Sequence, residues 1–400
     1  MTDERARAAI IGAGTMGAGI AQVALEAGWS VVLHDPVAGA TDRARKRIGE
    51  GLARRAAKAE TGADARADWI SARLGRLATA ETPARAASEA HLVIEAAIED
   101  LETKRALFAE LDRASAPTTA LATNTSALSV TAIAEAARIA PERIVGMHFF
   151  NPAPVLALVE VVAGRGSASW AVERAAAIAE DWGKTPIRST DSPGFIVNRV
   201  NRPFTLEPLR LLRAGHGTVE GIDAAMVDAG FPMGPFALMD LIGVDVNLAA
   251  ARGLFEGFDR VVRFRPSPIQ EELVAAGTLG RKTGQGFYRY ADGKRLGPAP
   301  RFERPERTAP NAPELLDAAA ISERVILAIV NEAYRALGDK VATADDIDRA
   351  LKLGAGHPFG PFEWAERAGL HEVALTLDQL SDEDPDTFRP TLALLRRVRG

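Results

Sequence analysis

A short apolar strand that runs directly into a glycine-rich turn and a helix most constrains how this chain can fold. Residues 8–11 are apolar, and helical spacing of apolar residues then continues to Gly28. Between them lie the residues of the turn: Gly12, Ala13, Gly14, Thr15, Met16 and Gly17. This turn leaves the first N–H groups of the helix without partners, so it favours an anionic ligand at that end.

Each glycine of the turn has a separate predicted task. Gly12 permits the tight turn, Gly14 allows the backbone to approach a pyrophosphate, and Gly17 lets the helix pack closely on the strand. The next strand ends in Asp35, 21 residues after Gly14. A carboxylate there accepts hydrogen bonds from an adenosine ribose and repels a 2′-phosphate. The sequence therefore predicts NAD, rather than NADP, as the cofactor.

Polar residues follow two further apolar strands. Glu99 and Lys104 come after the strand at 91–96, and the strand at 119–126 ends in short polar residues that include Ser126. In a parallel sheet, the carboxyl ends of the strands form the ligand-binding edge. The pattern alone leaves helix capping and turn formation as alternatives to ligand contact.

Two ionisable residues interrupt otherwise apolar, β-branched runs at 143–150 and 155–162. They are His148 and Glu160. Asn151 and two prolines separate the runs, so we expect the runs to lie side by side with the imidazole close to the carboxylate. A carboxylate fixes the tautomer of a histidine and stabilises its protonated form, which predicts a proton-transfer pair.

Composition excludes several classes of function. The chain of 400 residues has 48 Lys and Arg against 53 Asp and Glu, a net charge of −5, which argues against a nucleic-acid partner. The absence of Cys excludes disulfides, thiolate metal sites and a Cys nucleophile, and no metal site is predicted. The N-terminus lacks a signal-peptide pattern and no long apolar stretch occurs, so we expect a cytoplasmic protein with no membrane partner.

Residues 41–80 are rich in Ala and Arg and predict a helical hairpin inserted after the second strand, broken at residues 61–62. We expect the basic residues of this hairpin to lie on a solvent-exposed helix face. The alternative is that they contact a nucleotide phosphate. These basic residues are Arg43, Arg45, Lys46, Arg47, Arg54, Arg55 and Lys58.

Several segments together resemble the L-3-hydroxyacyl-CoA dehydrogenase family, in the family's order and over essentially the whole chain. They are GAGTMGAGIA, Asp35, VIEAAIEDLETK, NTSAL, GMHFFNPAPVLALVEVV and DSPGFIVNR. The resemblance implies a catalytic set: His148 as base, Glu160 as its partner, and Ser126 and Asn198 at the substrate. It also implies cofactor contacts beyond the glycine turn: Glu99, Lys104, Ser126, Asn151 and Lys282.

The second half of the chain contains an internal repeat. Glu207 and Asp223 recur as Glu332 and Asp348, each 125 residues later, and MGPF recurs as FGPF at an offset of 126. The second copy has Glu323 in place of Asn198, so we expect it to be structural. Pro203 and Pro208 predict a kink or break in the first copy.

The predicted fold is an α/β Rossmann-type N-terminal domain with an inserted helical hairpin, followed by two tandem all-α domains. The predicted bounds are 1–190 for the NAD-binding domain, 191–290 for the first helical copy, 291–313 for a Pro- and Gly-rich linker and 314–400 for the second copy. Since the single helical domain of the family resembles a dimerisation module, we expect either a monomer with an intramolecular pseudo-dimer or a homodimer.

The predicted function is NAD-dependent oxidation of an L-3-hydroxyacyl-CoA to the 3-oxoacyl-CoA, in fatty acid or short-chain acyl-CoA metabolism. The partner is thus a small-molecule acyl-CoA. One alternative is a dehydrogenase that oxidises a free hydroxy acid, such as a sugar acid, on the same fold. Another is a dinucleotide-binding protein without catalysis.

Overall fold

The computed structural model describes residues 6–58, 62–303 and 314–399. The chain divides into two compact units, Met1–Phe195 and Ile196–Gly400. Thr61, at the predicted hairpin break, and residues 304–313 of the predicted linker lie outside the described residues. Within the described ranges, no helix has the length and apolar character needed to cross a membrane.

A single eight-stranded sheet organises the first unit. Its strands are β1 (Arg7–Ile11), β2 (Ser30–His34), β3 (Leu77–Thr79), β4 (Leu92–Glu95), β5 (Ala120–Thr123), β6 (Ile144–Phe149), β7 (Leu158–Ala163) and β8 (Thr185–Thr190). The spatial order is β3-β2-β1-β4-β5-β6-β7-β8, and all neighbours are parallel except β6 and β7. β4, β5 and β6 are buried at every residue, which explains their nearly continuous apolar sequences.

Helices cover both faces of this sheet. They are α1 (Thr15–Glu26), α2 (Ala40–Ala56), α3 (Ala63–Leu74), α4 (Pro83–Ala87), α5 (Leu101–Ala114), α6 (Val130–Ala134) and α7 (Ser169–Asp181). One hydrophobic core lies beneath α1, α2 and α7, and a second lies beneath α4, α5 and α6. The Rossmann-type fold and its inserted hairpin, α2 and α3, are confirmed.

The sequence did not predict β3, which falls inside the region assigned to the helical hairpin. β3 is three residues long and pairs in parallel with β2, with Ala78 opposite Val32. A strand this short carries too few residues to show an alternating pattern, so only its pairing with β2 defines it.

Among its described residues, the second unit forms helices and one β-hairpin. Its helices are α8 (Val197–Val200), α9 (Pro203–Ala214), α10 (Val219–Asp228), α11 (Pro235–Ile242), α12 (Val244–Gly257), α13 (Pro268–Ala275), α14 (Ala318–Gly338), α15 (Ala344–Ala355), α16 (Pro361–Ala368), α17 (Leu370–Ser381), α18 (Pro385–Phe388) and α19 (Leu392–Val398). The expected break separates α8 from α9 just before Pro203. Pro208 does not break the helix, because it lies inside α9, where buried neighbours hold the helix despite the missing N–H.

The first part of the predicted linker is a β-hairpin. β9 (Tyr288–Ala291) pairs antiparallel with β10 (Lys294–Pro298), a hairpin that the composition of the linker did not predict. Asp292 and Gly293 form the turn, and both have positive φ angles. An Asp-Gly pair favours such a two-residue turn, and this signal was outweighed by the Pro- and Gly-rich composition of the segment.

Two reciprocal ion pairs join the repeated copies inside the second unit. Arg199 on α8 donates from Nε to Glu332 Oε1 at 2.8 Å, and Arg324 on α14 donates from Nε to Glu207 Oε1 at 2.6 Å. Arg199 and Arg324 are 125 residues apart, as are Glu207 and Glu332. The repeat in the sequence therefore corresponds to equivalent contacts made in opposite directions.

Each copy also caps its helix after the GPF turn with an aspartate. Asp223 accepts hydrogen bonds from two first-turn N–H groups of α11, and Asp348 accepts two from α16. A Cβ at Gly234 or at Gly360 would lie 2.3 or 2.1 Å from the carboxyl carbon of its aspartate. Glycine is therefore required at both positions for the aspartate to reach the helix end.

We expect Glu332→Gln to lower the free energy of unfolding by about 3 kcal/mol, because the buried Glu332 carboxylate accepts from both Arg199 and Arg263, and its loss leaves Arg199 with only Asp339 and the partly buried Arg263 with no acid within 4 Å among the described residues. Urea denaturation measures this value. The control is Glu271→Gln, which breaks an exposed pair with Arg252 and is expected to cost less than about 1 kcal/mol. Equal effects of the two variants would contradict the structural role given to the buried pair.

Candidate active site

His148 and Glu160 occupy directly opposite positions of the antiparallel pair β6 and β7. His148 Nδ1 lies 2.6 Å from Glu160 Oε2, His148 is 4% exposed and Glu160 is fully buried. The contact expected between the two side chains is therefore present. Since directly opposite residues of an antiparallel pair have neighbouring Cβ atoms, the strand register alone brings them together.

The hydrogen bond to Glu160 determines which nitrogen of His148 carries the proton. Nδ1 donates to the carboxylate, which leaves Nε2 as the acceptor nitrogen of the neutral ring. Nε2 lies 3.1 Å from the hydroxyl oxygen of Ser126. The ring nitrogen that can take a proton thus faces a hydroxyl group, with a carboxylate behind it to stabilise the imidazolium.

Two aromatic rings lie close to the imidazole in the first unit, and an asparagine holds the end of its strand. The ring centroids of Phe150 and Phe195 lie 4.6 and 5.7 Å from that of His148. Asn124 accepts a hydrogen bond from the backbone N–H of Phe149 at 2.9 Å, which ties the end of β5 to β6. Sequence reasoning did not single out the two phenylalanines, because apolar residues near a strand end are ordinary core residues.

Glu99 holds the loop that carries Ser126. Its Oε1 accepts hydrogen bonds from Thr125 Oγ1 at 2.6 Å and from the backbone N–H groups of Ser126 and Ala127. Burial raises the pKa of Glu99, but the bond from Thr125, the charge of Lys104 and the backbone N–H groups outweigh burial and keep the pKa below its ordinary value. Glu99 is therefore charged at neutral pH and positions the Ser126 hydroxyl.

A buried ion pair that sequence reasoning missed lies beside this loop. Lys104 Nζ is 2.5 Å from Glu95 Oε1, and Glu95 also accepts from Thr123 Oγ1 at 2.7 Å. Lys104 and Glu95 are 1% and 0% exposed. The available signal was a charged residue in the apolar strand β4, the same signal that identified His148. The predicted contact of Lys104 with the nicotinamide remains a prediction.

The glycine turn has the shape that a bound dinucleotide requires. Gly12 has φ +108°, and a Cβ there would lie 2.4 Å from the carbonyl oxygen of Ala96. A Cβ at Gly17 would lie 1.8 Å from the Gly12 carbonyl oxygen, so only glycine lets α1 approach β1 this closely. Gly14 has no heavy atom within 4 Å of an added Cβ, and no side chain caps the N-terminus of α1. These residues therefore fit an NAD pyrophosphate at the start of α1.

Asp35 directly follows β2 and faces the same turn. Its carboxylate accepts from the backbone N–H of Ala13 at 2.7 Å and of Val37 at 2.9 Å. A carboxylate has about four acceptor positions, so these two bonds leave capacity for ribose hydroxyls. The arrangement fits the predicted contact with the adenosine ribose of NAD.

A basic cavity of about 590 Å³ lies between α1, α2 and the loop after β6 in the first unit. The loop contributes residues 151–155, and α1 contributes residues from Thr15 to Glu26, the acidic residue that pairs with Arg55. Four of the seven basic residues of the predicted hairpin line it: Arg47, Arg54, Arg55 and Lys58. Their positions favour the alternative interpretation, contact with an anionic ligand, for these four.

The remaining predicted site residues lie in different surroundings. Asn151 is exposed and lines the basic cavity. Asn198 is on α8 of the second unit, and Lys282, also in that unit, pairs with Asp245 at 2.6 Å. The predicted roles of Asn198 at the substrate and of Lys282 near the cofactor remain predictions.

The fold and this site define an NAD-dependent oxidoreductase. The family described as "3-hydroxyacyl-CoA dehydrogenase, NAD binding domain" matches residues 7–192, and "3-hydroxyacyl-CoA dehydrogenase, C-terminal domain" matches residues 194–290 and 321–399. The chain therefore belongs to the 3-hydroxyacyl-CoA dehydrogenase family. This confirms the predicted family, cofactor and class of reaction, and the C-terminal description matches both copies of the repeat.

Named relatives agree with this placement. The Escherichia coli K12 protein named 3-hydroxyadipyl-CoA dehydrogenase is 37% identical, covering 98% of this chain and 97% of that protein. A crystal structure of 3-hydroxybutyryl-CoA dehydrogenase from E. coli K12 has a TM-score of 0.89 at 35% identity, covering 99% and 98% of the two chains. The mitochondrial hydroxyacyl-coenzyme A dehydrogenase of Sus scrofa is 39% identical over 70% of this chain and 90% of its own length.

We expect Asp35→Ala to raise the KM for NAD⁺ about tenfold or more, because hydrogen bonds to a charged acceptor are lost. The same change removes the repulsion of a 2′-phosphate, so the preference for NAD⁺ over NADP⁺ should narrow. Initial rates with both cofactors measure this ratio, with Asp42→Ala, an exposed substitution on α2, as the control. A loss of activity with both cofactors in the same proportion would indicate that Asp35 only supports the turn.

Proposed function

We propose that His148 is the base and Glu160 its charge-stabilising partner in the oxidation of an L-3-hydroxyacyl-CoA to the 3-oxoacyl-CoA. The single observation that carries this proposal is the hydrogen-bonded series from Glu160 through His148 Nδ1 and Nε2 to the Ser126 hydroxyl. The series lies in the NAD-binding unit, where the parallel strands β5 and β6 reach their carboxyl ends. Parallel sheets bind ligands at this edge.

The proposed proton transfer follows from the tautomer of the ring. As the C3–H bond of the substrate breaks, the O–H bond of the hydroxyl group on C3 also breaks. The hydroxyl proton moves to His148 Nε2. The electrons of that O–H bond form the second bond of the new ketone. NAD⁺, when bound, supplies the acceptor for the hydride that leaves C3. Glu160 then holds the imidazolium through Nδ1, and burial makes this attraction stronger than it would be in water.

Two further side chains are proposed to orient the substrate. Ser126, held by Glu99, presents its hydroxyl next to His148 Nε2 and can bond the oxygen at C3. Asn198 is proposed, on the family resemblance alone, to donate to a substrate oxygen. Lys104, Glu99 and Asn151 are proposed to lie on the nicotinamide side of the cofactor.

The basic cavity is proposed to hold the phosphates of coenzyme A. It lies in the same unit as His148, and its Asn151–Val155 wall begins three residues after that histidine. Arg47, Arg54 and Lys58 have no acidic partner within 4 Å among the described residues, so an anion would complete their pairing. A free hydroxy acid, the competing substrate class, offers no phosphates to this surface.

The names of the relatives differ in the acyl group and leave open which acyl group this chain accepts. A monomer with an intramolecular pseudo-dimer remains the proposed assembly, with a homodimer as the alternative. The reciprocal ion pairs support the proposal that the two helical copies associate within one chain. A cytoplasmic location remains a prediction.

We expect His148→Ala to lower kcat for 3-hydroxybutyryl-CoA oxidation at least about 100-fold, because the proton acceptor is lost. NADH absorbance measures the rate, and fluorescence titration should show nearly unchanged NADH binding. Glu160→Gln should lower kcat less, since the ring remains and only its charge stabilisation is lost.

The control for this experiment is His371→Ala, an exposed histidine of the second unit. Activity of His148→Ala equal to that of the control would refute the assignment of the base. NAD binding by the wild-type protein without turnover of any 3-hydroxyacyl-CoA would instead favour a dinucleotide-binding protein. Turnover of a free hydroxy acid alone would favour the other alternative.

We expect the double variant Arg47→Met and Arg54→Met to raise the KM for 3-hydroxybutyryl-CoA about tenfold or more, because two charge-assisted contacts to phosphate are lost. The matching thioester of N-acetylcysteamine, which lacks the phosphates, should be oxidised by the variant and the wild type at equal efficiency. Lys46→Met is the control, since Lys46 is on the same helix but outside the cavity. An equal change for both thioesters would contradict this placement of the phosphates.

A further inference from the structure

One buried arginine in the second unit lacks an acidic partner. Four Lys and Arg side chains are buried among the described residues. Three of them, Lys104, Arg143 and Arg199, lie within 3 Å of a carboxylate oxygen. Arg202 is 6% exposed and has no carboxylate within 4 Å in the described ranges. A buried charge of this kind is costly unless something else compensates it.

The polar neighbours of Arg202 only partly satisfy it. Its guanidinium donates to Asn247 Oδ1 at 3.4 Å, a long bond, while the same oxygen accepts from Gln270 Nε2 at 2.8 Å. The Nε of Arg202 is buried without a hydrogen-bond partner. Burial lowers the pKa of Arg202 to about 10, so the group stays charged at neutral pH. The local structure therefore holds a cation that retains unused donors.

The second copy of the repeat shows that the fold does not need a cation here. The position 125 residues after Arg202 is Leu327, which is 1% exposed, and the position 126 residues after Asn247 is Val373, which is 2% exposed. The same packing position is thus filled by apolar side chains in the copy without Asn198. An arginine kept buried where leucine fits must be explained by something other than folding.

Arg202 follows Asn198 by one helical turn. Arg202 lies between α8 and α9, but Val200 and Asn201 make i to i−4 backbone hydrogen bonds to Ile196 and Val197, and Arg202 keeps helical backbone angles (φ −60°, ψ −39°), so the helical path continues from Asn198 to Arg202. Residues four apart in a helix share one face and are separated by about 6 Å along it. The face that the proposed function assigns to the substrate therefore continues to Arg202.

We propose that Arg202 binds a carboxylate at the far end of the acyl chain, so that the preferred substrate is the CoA thioester of a short 3-hydroxy dicarboxylic acid. This inference rests on the proposed function, in which Asn198 contacts the substrate. The offset of about 6 Å is close to the length of a six-carbon diacid beyond its reacting carbon, since three carbon–carbon bonds of an extended chain and one bond to a carboxylate oxygen span roughly 5 Å. A carboxylate accepts two parallel bonds from a guanidinium, which would satisfy the unused donors.

The test compares two substrates of equal length, a six-carbon 3-hydroxydicarboxylyl-CoA and 3-hydroxyhexanoyl-CoA. The wild-type enzyme should favour the diacid in kcat/KM at least about tenfold. Arg202→Met should lower kcat/KM for the diacid about 30-fold or more, a factor that corresponds to about 2 kcal/mol, while changing the monoacid less than about threefold. The loss should fall mainly on KM, because the terminal carboxylate is remote from the reacting carbon.

Two further variants separate recognition from structure. Arg202→Lys keeps the charge and should recover part of the diacid activity, whereas Arg213→Met, an exposed substitution on α9, should change neither substrate. Thermal unfolding should show no loss of stability in Arg202→Met, since the leucine of the second copy already fits this position.

Three outcomes would overturn the inference. They are equal losses for both substrates in Arg202→Met, a preference of the wild-type enzyme for the monoacid, and a loss confined to the affinity for NAD⁺ or for coenzyme A itself. The last would show that the anion at Arg202 is a phosphate. Oxidation of neither substrate by the wild-type enzyme would instead refute the proposed function, and the inference with it.

Discussion

The antiparallel pairing of β6 with β7 is the constraint on which the proposed chemistry depends. Every other neighbouring pair in the sheet is parallel, and this one reversal places Glu160 directly opposite His148. Because side chains alternate between the two faces of a strand, a shift of one residue in this register would turn the carboxylate to the other face of the sheet. Gly146 helps to fix the register, since a Cβ there would lie 2.8 Å from the Cβ of Val162. The geometry of the proton-transfer pair is thus a property of the sheet and needs no flexible loop.

The acidic groups next to this pair mainly hold neighbouring residues in position. Glu99 holds the backbone on both sides of Ser126, and Glu95 joins Lys104 to the end of β5 through Thr123. The contacts of Glu95 are buried and costly to leave half-satisfied, which favours a single conformation at the end of β5. A hydroxyl held in this way reaches His148 without a separate ordering step, and such preorganisation is what an oriented reaction requires.

Much of this structure follows from local sequence patterns, and the exceptions have physical causes. The glycine turn, the buried strands and the meeting of His148 with Glu160 were predictable because each depends on residues close in sequence or on strand alternation. β3 was not, since three residues cannot show a period and only a neighbour defines them. Arg202 was missed for the opposite reason, because it is an ordinary charged residue in the sequence and only its burial without an acidic partner makes it unusual. Glu95 did interrupt an apolar strand, but its partner Lys104 comes from the following helix, so only the structure pairs the two.

The reciprocal ion pairs between the two helical copies have a consequence for enzyme behaviour at low abundance. Two surfaces carried by one polypeptide meet at an effective concentration set by the connecting segment, in the millimolar range for short flexible connections. Their association therefore does not weaken on dilution, as the association of separate subunits does. If the second copy is structural, as we expect, it is also free to lose polar residues, and it carries the apolar Leu327 and Val373 where the first copy has Arg202 and Asn247. On this expectation, covalent attachment relieves the second copy of the helical region from the demands of ligand binding.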